Sequence, residues 1–270
     1  MAPGPDDLFL VGDAAQRLYG RQCSWLGAGV DVRGNASTLT INYRTTEQIR
    51  AASESLLPDV IEAIDGVPEG REARSVRQGP APQVVACARE DEEVAALAGW
   101  LSGLAEDGIA PESVGIFVRA RRLYGRVDAA ATAAGVPLIL LSEDDGRAGA
   151  VRLGTMHSAK GLEFRAVALV GCDAETLPPR RVLEAVADRG DAVTLMEQER
   201  NLLYVASSRA RDRLFVSYTG QPSSLLSALH RPPSAPPRRP QAPPKRPRTP
   251  RTDFKICLLY TSDAADEVVG

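Results

Sequence analysis

The chain has 270 residues, 44% hydrophobic and 25% charged, proportions that are ordinary for a protein that folds around a core in one or two domains. The N-terminus MAPGPDD is acidic and no apolar run approaches the ~18 residues that span a bilayer, which argues against a signal peptide and a membrane helix. Four widely spaced cysteines, no CxxC pair and two histidines argue against a disulfide framework or a zinc site. We therefore expect a cytoplasmic protein without a structural metal.

The net charge of −3 is unevenly distributed along the chain. Residues 231–252 carry seven basic side chains and no acidic one, so the remainder is acidic and any nucleic-acid contact must come from a local patch. The same segment holds nine of the twenty prolines, which predicts a disordered polyproline-type tail able to bind a protein partner. Residues 253–270 differ in composition again, and we interpret them as an artefactual end.

Strand and helix patterns alternate along the chain. The predicted strands are 8–11, 39–41, 83–87, 114–118, 137–141, 151–155, 166–170 and 213–218. The predicted helices are 45–56, 91–106, 121–134 and 194–210, and residues 66–82 are predicted to form a loop. This alternation predicts an α/β fold with a parallel sheet, in which functional groups gather at the carboxyl ends of the strands.

Two motifs place polar side chains beside predicted strands. In LFLVGDAAQRLYG, Gln16 follows a strand that ends at Gly-Asp, where an amide can donate to a γ-phosphate oxygen while accepting from a water. In LTINYRTTEQI, Arg44 lies at a strand-to-helix junction, from which a guanidinium can reach a phosphate. Each has a structural alternative: the Gly-Asp pair can form an ordinary turn, and Arg44 can pair with Glu47.

Two further motifs follow. VRLGTMHSAKGLEF contains Lys160, but no glycine among the four residues before it, so backbone N–H groups cannot cradle an anion there as in a phosphate loop. EQERNLLYVASSRARDRLFV predicts a helix with an apolar face and places Arg209 near its end, beside two more arginines. The alternative for this arginine cluster is a solvated helix end that complements the helix dipole.

Together and in this order, the four motifs resemble motifs III to VI of superfamily 1 DNA helicases of the UvrD/Rep/PcrA type. The family pattern runs VGDxxQSIY, NYRS, TxHxAKGLEF and RRLLYVAxTRA, and this chain has VGDAAQRLY, NYRT, TMHSAKGLEF and RNLLYVASSRA. The resemblance implies an α/β fold with a RecA-like parallel sheet of the P-loop NTPase type. Residues 1–30 would be a remnant of the first RecA-like domain, 31–230 the second, and 231–270 the tail.

The resemblance also implies roles for single residues at an ATP site. Gln16, Arg44 and Arg209 would contact the γ-phosphate, with Arg209 as the arginine finger, a group worth ~10³–10⁵ in rate in phosphoryl transfer. Glu163 would bind the ribose. Tyr43 would stack on the adenine, and a tyrosine buried in the core is the alternative.

A second set of residues would face nucleic acid. The resemblance places Tyr19, Thr155 and His157 against single-stranded DNA, where stacking tolerates any sequence. TMHSAKGLEF would then be a coupling loop with one end towards DNA and the other, at Glu163, towards the nucleotide. Gly161 would permit the turn between the two ends.

The chain departs from the family in what it lacks. It has no Gly-Lys dipeptide and hence no GxxxxGK[ST] loop, and the acidic Mg²⁺-binding motif is also missing. In the family both elements lie upstream of VGDxxQ, so we interpret the chain as N-terminally truncated, with ATP and Mg²⁺ requiring the missing first domain. Arg21 replaces the tryptophan that follows the motif tyrosine, and only residues 142–150 stand where larger helicases insert a subdomain.

These features favour the second motor domain of an ATP-dependent DNA helicase. The full-length protein would translocate 3′ to 5′ on single-stranded DNA and unwind duplexes, and the isolated fragment would be inactive. Its partners would be single-stranded DNA and the first RecA-like domain. The alternative is a non-catalytic RecA-like module that binds DNA or protein, or a truncated gene product.

Overall fold

A computed structural model describes residues 16, 39–58, 60–62, 68–70, 73–143, 148–186 and 188–229. Its strands are β1 (Ile41–Thr46), β2 (Val60–Glu62), β3 (Pro68–Gly70), β4 (Arg74–Arg77), β5 (Gln83–Cys87), β6 (Val114–Val118), β7 (Leu138–Leu140), β8 (Val151–Thr155), β9 (Phe164–Val170) and β10 (Ala210–Thr219). Its helices are α1 (Glu47–Glu54), α2 (Glu90–Glu106), α3 (Tyr124–Ala133), α4 (Arg180–Ala185) and α5 (Arg189–Ser207). No helix within these described ranges is long and apolar enough to cross a membrane.

Six strands form one parallel sheet in the order β5-β10-β9-β6-β8-β7. The registers are regular at its centre, where Ile116 of β6 lies opposite both Leu153 of β8 and Ala168 of β9. Beside this sheet, β1 and β4 form a parallel pair and β2 and β3 an antiparallel one. The predicted α/β fold with a RecA-like parallel sheet is confirmed.

Helices cover both faces of the six-stranded sheet. In β9, Val167 and Leu169 enter a core shared with α1 and α5. The alternate residues Ala166, Ala168 and Val170 enter a second core shared with α2 and α3. Because both faces are buried, the strand reads as a nearly continuous apolar run, as expected for parallel sheets. Each fully buried Leu or Val side chain contributes about 1.5–3 kcal/mol.

The structure differs from the predicted elements in several places. The strand predicted at 39–41 is β1 (Ile41–Thr46), the helix predicted at 45–56 begins after it, and β2 was not predicted. The helix predicted at 194–210 begins at Arg189, after Asp188 has capped it by accepting from the Gly190 amide at 2.7 Å, and it ends at Ser207. Arg209 therefore lies outside the helix. The predicted loop 66–82 contains β3 and β4, and the short helix α4 was not predicted. The predicted strand 8–11 lies outside the described residues.

Candidate functional site

The segment TMHSAKGLEF runs from the side of the sheet where the strands have their carboxyl ends to the side where they have their amino ends. These two sides are called the carboxyl edge and the amino-terminal edge below. Thr155 is the last residue of β8, and His157 lies in the 3-10 turn that follows, whereas Glu163 immediately precedes β9. Since β8 and β9 are both parallel to β6, the end of β8 and the start of β9 lie at opposite edges. Gly161 has a φ of 78°, a conformation that favours glycine and lets the chain turn into β9.

The amino-terminal ends of β9 and β10 carry a cluster of arginines, at the edge opposite to the carboxyl ends where the fold pattern predicts functional groups. Arg44 Nε lies 3.0 Å from Oε2 of Glu163. Arg44 Nη2 and Arg209 Nη1 both donate to the Leu162 carbonyl, at 3.2 Å and 3.3 Å. The structure therefore brings three predicted site residues, Arg44, Glu163 and Arg209, to one point.

Arg209 is 0% exposed, and its guanidinium donates hydrogen bonds to oxygens of neighbouring residues. Its Nε donates to the Val205 carbonyl at 3.0 Å and its Nη2 to Ser208 Oγ at 3.2 Å. Val205 lies in the last turn of α5, so the side chain caps the helix and complements its dipole. Arg209 thus differs from the predicted alternative of a solvated helix end, because it lies at the helix end but is buried. To reach a phosphate, these N–H groups must exchange the present oxygens for those of a ligand.

Arg211 belongs to the same cluster, although the sequence analysis did not assign it a role. Its Nε lies 3.4 Å from Oε1 of Glu163, and its side chain is 40% exposed. Glu163 thus lies between the guanidinium groups of Arg44 and Arg211. The signal in the sequence was the arginine run RARDR, but only the pleat of β10 decides which member meets Glu163.

The carboxylate that the structure places against Arg44 is Glu163, a residue far away in sequence. Glu47, the local alternative, is engaged elsewhere: it forms an ion pair with Arg50 and accepts from the Ser75 amide at 2.7 Å. Long-range packing, rather than the neighbouring helix turn, therefore decides how this arginine is held.

Asp212 fixes β4 and β1 against the start of β10. Its Oδ1 lies 2.7 Å from Arg77 Nη2, and its Oδ2 accepts from Arg165 Nε at 3.0 Å. Arg77 Nη1 in turn donates to the Arg44 carbonyl at 2.8 Å. Asp212 thereby supports the backbone from which Arg44 projects towards Glu163.

We expect the free energy of unfolding of Asp212→Asn to fall less steeply at acid pH than that of the wild type. Burial raises the pKa of the Asp212 carboxyl, but Arg165 and Arg77 outweigh it and hold that pKa below its usual value. A carboxyl with a depressed folded pKa contributes stability above its unfolded pKa of about 3.9, and this contribution is lost as pH falls through the folded pKa. Urea unfolding followed by circular dichroism between about pH 7 and about pH 2.5 measures it.

Asp107→Asn is the matched control for this experiment. Asp107 pairs with Arg213 at 2.9 Å, and its side chain is more exposed than that of Asp212. The control should lose stability at acid pH nearly as steeply as the wild type because exposed ion pairs contribute little. An acid dependence of Asp212→Asn equal to that of the wild type would contradict the role assigned to Asp212.

The carboxyl edge of the sheet carries His157 beside an ion pair. Arg119, which follows β6, donates to Glu199 of α5 from Nε and Nη2 at 2.7 and 2.6 Å. His157 is half-buried, and burial followed by the charge of Arg119 lowers the pKa of its ring, with Glu199 opposing. Both effects favour the neutral form of the ring. Thr155 is half-buried at the same edge, where its carbonyl accepts from Ser158 Oγ at 2.7 Å.

The other predicted site residues are Tyr43, Gln16 and Tyr19, and the structure gives fewer contacts for them. Tyr43 is 70% exposed on β1, next to Arg44, so the alternative of a core tyrosine is wrong and its ring is accessible for stacking. Gln16 is half-buried, and its neighbours in sequence lie outside the described residues. Tyr19 also lies outside the described residues.

The described residues fit an organic triphosphate better than its metal. Guanidinium groups suit phosphate oxygens, a carboxylate suits a hydroxyl, and an exposed aromatic ring suits a base. Over the described ranges, no group of three or more His, Cys, Asp or Glu could hold a metal ion. Lys160 follows a 3-10 turn in which Met156 and Ala159 are buried, a geometry unlike a glycine-rich phosphate loop.

A six-stranded parallel sheet covered on both faces, with arginines gathered at one edge, defines an α/β lobe of the RecA-like class. Residues 139–221 match the family described as the UvrD-like helicase C-terminal domain. The resemblance to UvrD-type helicases that the motifs predict is thereby confirmed for the C-terminal part of the chain. The matched segment contains His157, Glu163 and Arg209, whereas Arg44 precedes it.

Individual relatives agree with this family. DNA helicase II of Rickettsia typhi is 33% identical over 86 residues, 32% of this chain and 12% of that protein. ATP-dependent DNA helicase UvrD1 of Mycobacterium tuberculosis is 44% identical over 70 residues, 26% of this chain and 8% of that protein. The matches thus span 8–12% of the length of these relatives.

A solved structure supports the fold. It is the C-terminal domain of a possible DNA helicase from Lactobacillus plantarum WCFS1, with a TM-score of 0.51 and 23% identity. The match covers 70% of this chain and 94% of that domain. At this identity the likeness concerns the arrangement of strands and helices and not the chemistry of the site.

Proposed function

We propose that the chain is the second motor lobe of an ATP-dependent DNA helicase that translocates 3′ to 5′ on single-stranded DNA and unwinds duplexes. ATP would bind at the amino-terminal edge of the sheet and DNA at the carboxyl edge. The observation that carries the proposal is the segment TMHSAKGLEF, which places His157 at one edge and Glu163 at the other. A lobe that converts ATP binding into movement on DNA needs such a connection.

At the nucleotide edge, the proposed roles follow the chemistry of each side chain. A first RecA-like lobe would supply the phosphate loop and the ligands for Mg²⁺, which supplies charge neutralisation when bound. Arg44 and Arg209 would donate to the γ-phosphate oxygens, and Gln16 would orient the attacking water. Glu163 would accept from a ribose hydroxyl, and the exposed ring of Tyr43 would stack on the adenine.

The part of the connection that carries His157 is packed into the core. Met156 and Ala159 are both 0% exposed in the core beneath α5. A packed segment moves as a body rather than deforming continuously. A closing movement that pulls on Leu162 and Glu163 would therefore reach His157. Lobe closure around a ligand is a common way to couple binding to movement.

One observation favours the alternative of a non-catalytic module. The donors of Arg209 are occupied by Leu162, Val205 and Ser208, which is how an arginine with a purely structural role would be held. The basic, proline-rich segment 231–252 would then supply affinity for DNA phosphates or for a protein partner. Such a module would bind DNA but would not respond to nucleotide.

The test is a pair of binding measurements, the first on the purified chain and the second on the chain fused to a phosphate-loop lobe. We expect His157→Ala to weaken binding of a fluorescein-labelled oligo(dT) by about fivefold, the loss of one hydrogen-bonding or stacking contact. In the chain fused to a phosphate-loop lobe, we expect Glu163→Ala to weaken binding of a fluorescent ATP analogue by a similar factor of about fivefold. Fluorescence anisotropy reports both, and each variant should leave the other ligand unaffected.

The controls are an exposed serine and an exposed acid. Ser158 lies beside His157, and Ser158→Ala should not alter the affinity for the oligonucleotide. Glu175→Ala should not alter the affinity for the nucleotide. The chain alone should show no ATP turnover, because it contains no phosphate loop. An ATP affinity of the fused protein that does not depend on Glu163 would favour the non-catalytic module, and DNA-stimulated turnover by the chain alone would contradict its role as one lobe of two.

A further inference from the structure

Glu163 is held by a second arginine, to which the motif resemblance assigns no role. Arg211 Nε lies 3.4 Å from Oε1 of Glu163, whereas Arg44 Nε lies 3.0 Å from Oε2. Each oxygen of the carboxylate therefore faces a guanidinium of its own. The roles proposed for the ATP site account for Arg44 and Glu163, but they leave the contact with Arg211 unexplained.

The backbones that carry Glu163 and Arg211 are fixed to each other by strand pairing. Ala210 of β10 lies opposite Phe164 of β9, and the Phe164 amide donates to the Arg209 carbonyl at 3.1 Å. Glu163 and Arg211 flank this pair of residues on neighbouring strands. Because the pairing holds the two backbones, the distance between carboxylate and guanidinium depends mainly on rotation of the side chains.

The Nε atom of Arg211 has a physical reason to stay at the carboxylate. Among the described residues, this atom is buried and makes no hydrogen bond, and a buried donor without an acceptor costs free energy. Oε1 of Glu163 lies at 3.4 Å, just beyond the range of about 2.7–3.2 Å for an N–H···O bond. A small rotation of either side chain therefore satisfies the donor and turns Oε1 towards β10.

The carboxylate can still accept from a ligand while it is held in this way. The Glu163 side chain is 34% exposed, and a carboxylate offers about four lone-pair sites. The contacts with two guanidinium groups thus leave room for a hydroxyl donor. If Arg44 turns to a γ-phosphate, as the proposed function requires, Arg211 is the guanidinium that remains beside Glu163 and keeps it from rotating away.

We propose that Arg211 is a positioning residue for Glu163: it holds the carboxylate in the orientation that accepts a hydroxyl group of a bound ligand, and it thereby makes the site selective for a nucleotide with ribose hydroxyls. That the ligand is a nucleoside triphosphate rests on the proposed function. The contact between Arg211 and Glu163 does not. Arg211 acts through Glu163 and does not itself touch the nucleotide.

Binding of ATP and of 2′,3′-dideoxy-ATP by the chain fused to a phosphate-loop lobe tests the selectivity. We expect the wild-type fusion to bind ATP about fivefold more tightly than the analogue, because the analogue lacks one hydrogen bond to the carboxylate. Arg211→Gln should weaken ATP binding by about threefold and leave the affinity for the analogue unchanged. In a Glu163→Ala background, Arg211→Gln should change neither affinity, because the residue through which it acts is absent. Isothermal titration calorimetry measures each affinity.

Arg213→Gln and Arg211→Lys are the matched controls. Arg213 lies two positions further along the same face of β10, has a similar exposure and pairs with Asp107 at 2.9 Å. Its replacement should leave the ratio of the two affinities at the wild-type value. Arg211→Lys keeps the positive charge and should recover part of the selectivity.

Two results of the binding experiment would overturn the proposal. If Arg211→Gln weakens ATP and the analogue equally, Arg211 contacts the phosphates directly and does not act through Glu163. If Arg211→Gln leaves both affinities at the wild-type values while Glu163→Ala abolishes the preference for ATP, Glu163 is positioned without Arg211.

Carboxyl ¹³C NMR of the chain alone tests the contact without any nucleotide. With glutamate labelled at Cδ, Glu163→Gln identifies the signal of Glu163. We expect Arg211→Gln to shift this signal, because it removes the charge beside Oε1, and Arg213→Gln to leave it in place. A Glu163 signal that does not respond to Arg211→Gln would contradict the contact and, with it, the positioning role.

The two readouts separate this inference from the proposed function. If the wild-type fusion does not prefer ATP over the analogue but the NMR signal shifts, the ribose contact of the proposed function fails and the hold of Arg211 on Glu163 stands. If the fusion prefers ATP and the preference depends on Glu163 but not on Arg211, the positioning role fails and the proposed function stands.

Discussion

Arg209→Ala is expected to lower the free energy of unfolding of the chain by about 3 kcal/mol and, in a complete two-lobe enzyme, to lower kcat by about 10³-fold. The stability loss follows from burial: the variant removes a fully buried guanidinium with its three hydrogen bonds and leaves a cavity in its place, although the Leu162 and Val205 carbonyls keep Arg44 and Ser208 as donors. Urea unfolding of the chain measures the first effect. ATP turnover after fusion to a phosphate-loop lobe measures the second, while single-strand affinity should stay close to wild type.

Arg211→Ala and Arg209→Lys are the matched controls. Arg211 is two positions away and makes a contact of 3.4 Å with Glu163 from a partly exposed position, so its loss should cost less than about 1 kcal/mol. Arg209→Lys keeps a positive charge but not the planar fork, and should recover stability only in part. If Arg209→Ala unfolds at the same urea concentration as Arg211→Ala, the helix-capping role is wrong. Loss of DNA binding equal to the loss of turnover would reject the arginine-finger role.

These outcomes would also decide between the two interpretations of the arginine. A structural cap predicts a stability loss with no further loss of turnover in the variant that remains folded. A finger that leaves its cap on ATP binding predicts both losses. Because Arg209 Nη1 and Arg44 Nη2 share one acceptor, the Leu162 carbonyl, movement of one guanidinium must alter the other. The two arginines should therefore behave non-additively in a double-variant cycle.

The strands of the central sheet were predictable because each is buried on both faces. Runs such as AVALV and VGIFV are apolar without interruption, and their short length and β-branched or aromatic residues favour strands over buried helices. In contrast, β4 has the sequence RSVR, and it is a strand only because β1 offers it a parallel partner. A pairing that depends on another segment leaves no signal in the short polar run itself.

The end of α5 shows the same limit. The apolar pattern continues to Ala210, so the sequence predicted a helix to that residue, but the helix stops at Ser207 and Arg209 turns back to cap it. The motif resemblance correctly chose Arg44, Glu163 and Arg209 as residues that meet. It did not show that they meet at the amino-terminal edge, because that depends on the direction in which the chain crosses the sheet.

Buried ion pairs were the features least visible in the sequence. Arg119 and Glu199 are 80 positions apart, and Arg126 and Glu93 are 33 apart. A charged residue in a polar run is usually solvated, so neither pair stands out from its neighbours. Glu93 in particular lies in the acidic first turn of α2, EDEE, where nothing in the sequence distinguishes it from its acidic neighbours.

Glu93→Gln is expected to lower the free energy of unfolding by about 3 kcal/mol. Glu93 is 0% exposed, and it forms an ion pair with Arg126 of α3. Its other oxygen accepts from the Gly171 amide at 3.0 Å, at the end of β9. The amide of glutamine has one oxygen, so it would direct an N–H group either at the guanidinium or at the Gly171 amide. In either arrangement a buried donor is left without an acceptor. Urea unfolding at constant pH measures the loss.

Glu92→Gln provides the control within the same helical turn. Glu92 is 45% exposed and lies 3.5 Å from Arg89, so its neutralisation should cost less than about 0.5 kcal/mol. Glu93→Gln combined with Arg126→Gln should be more stable than Glu93→Gln alone, because no buried charge is then left without its partner. Equal unfolding midpoints for Glu93→Gln and Glu92→Gln would contradict this assignment. The expected difference would mean that one carboxylate in an unremarkable acidic run holds α2, α3 and β9 together at the edge where DNA is proposed to bind.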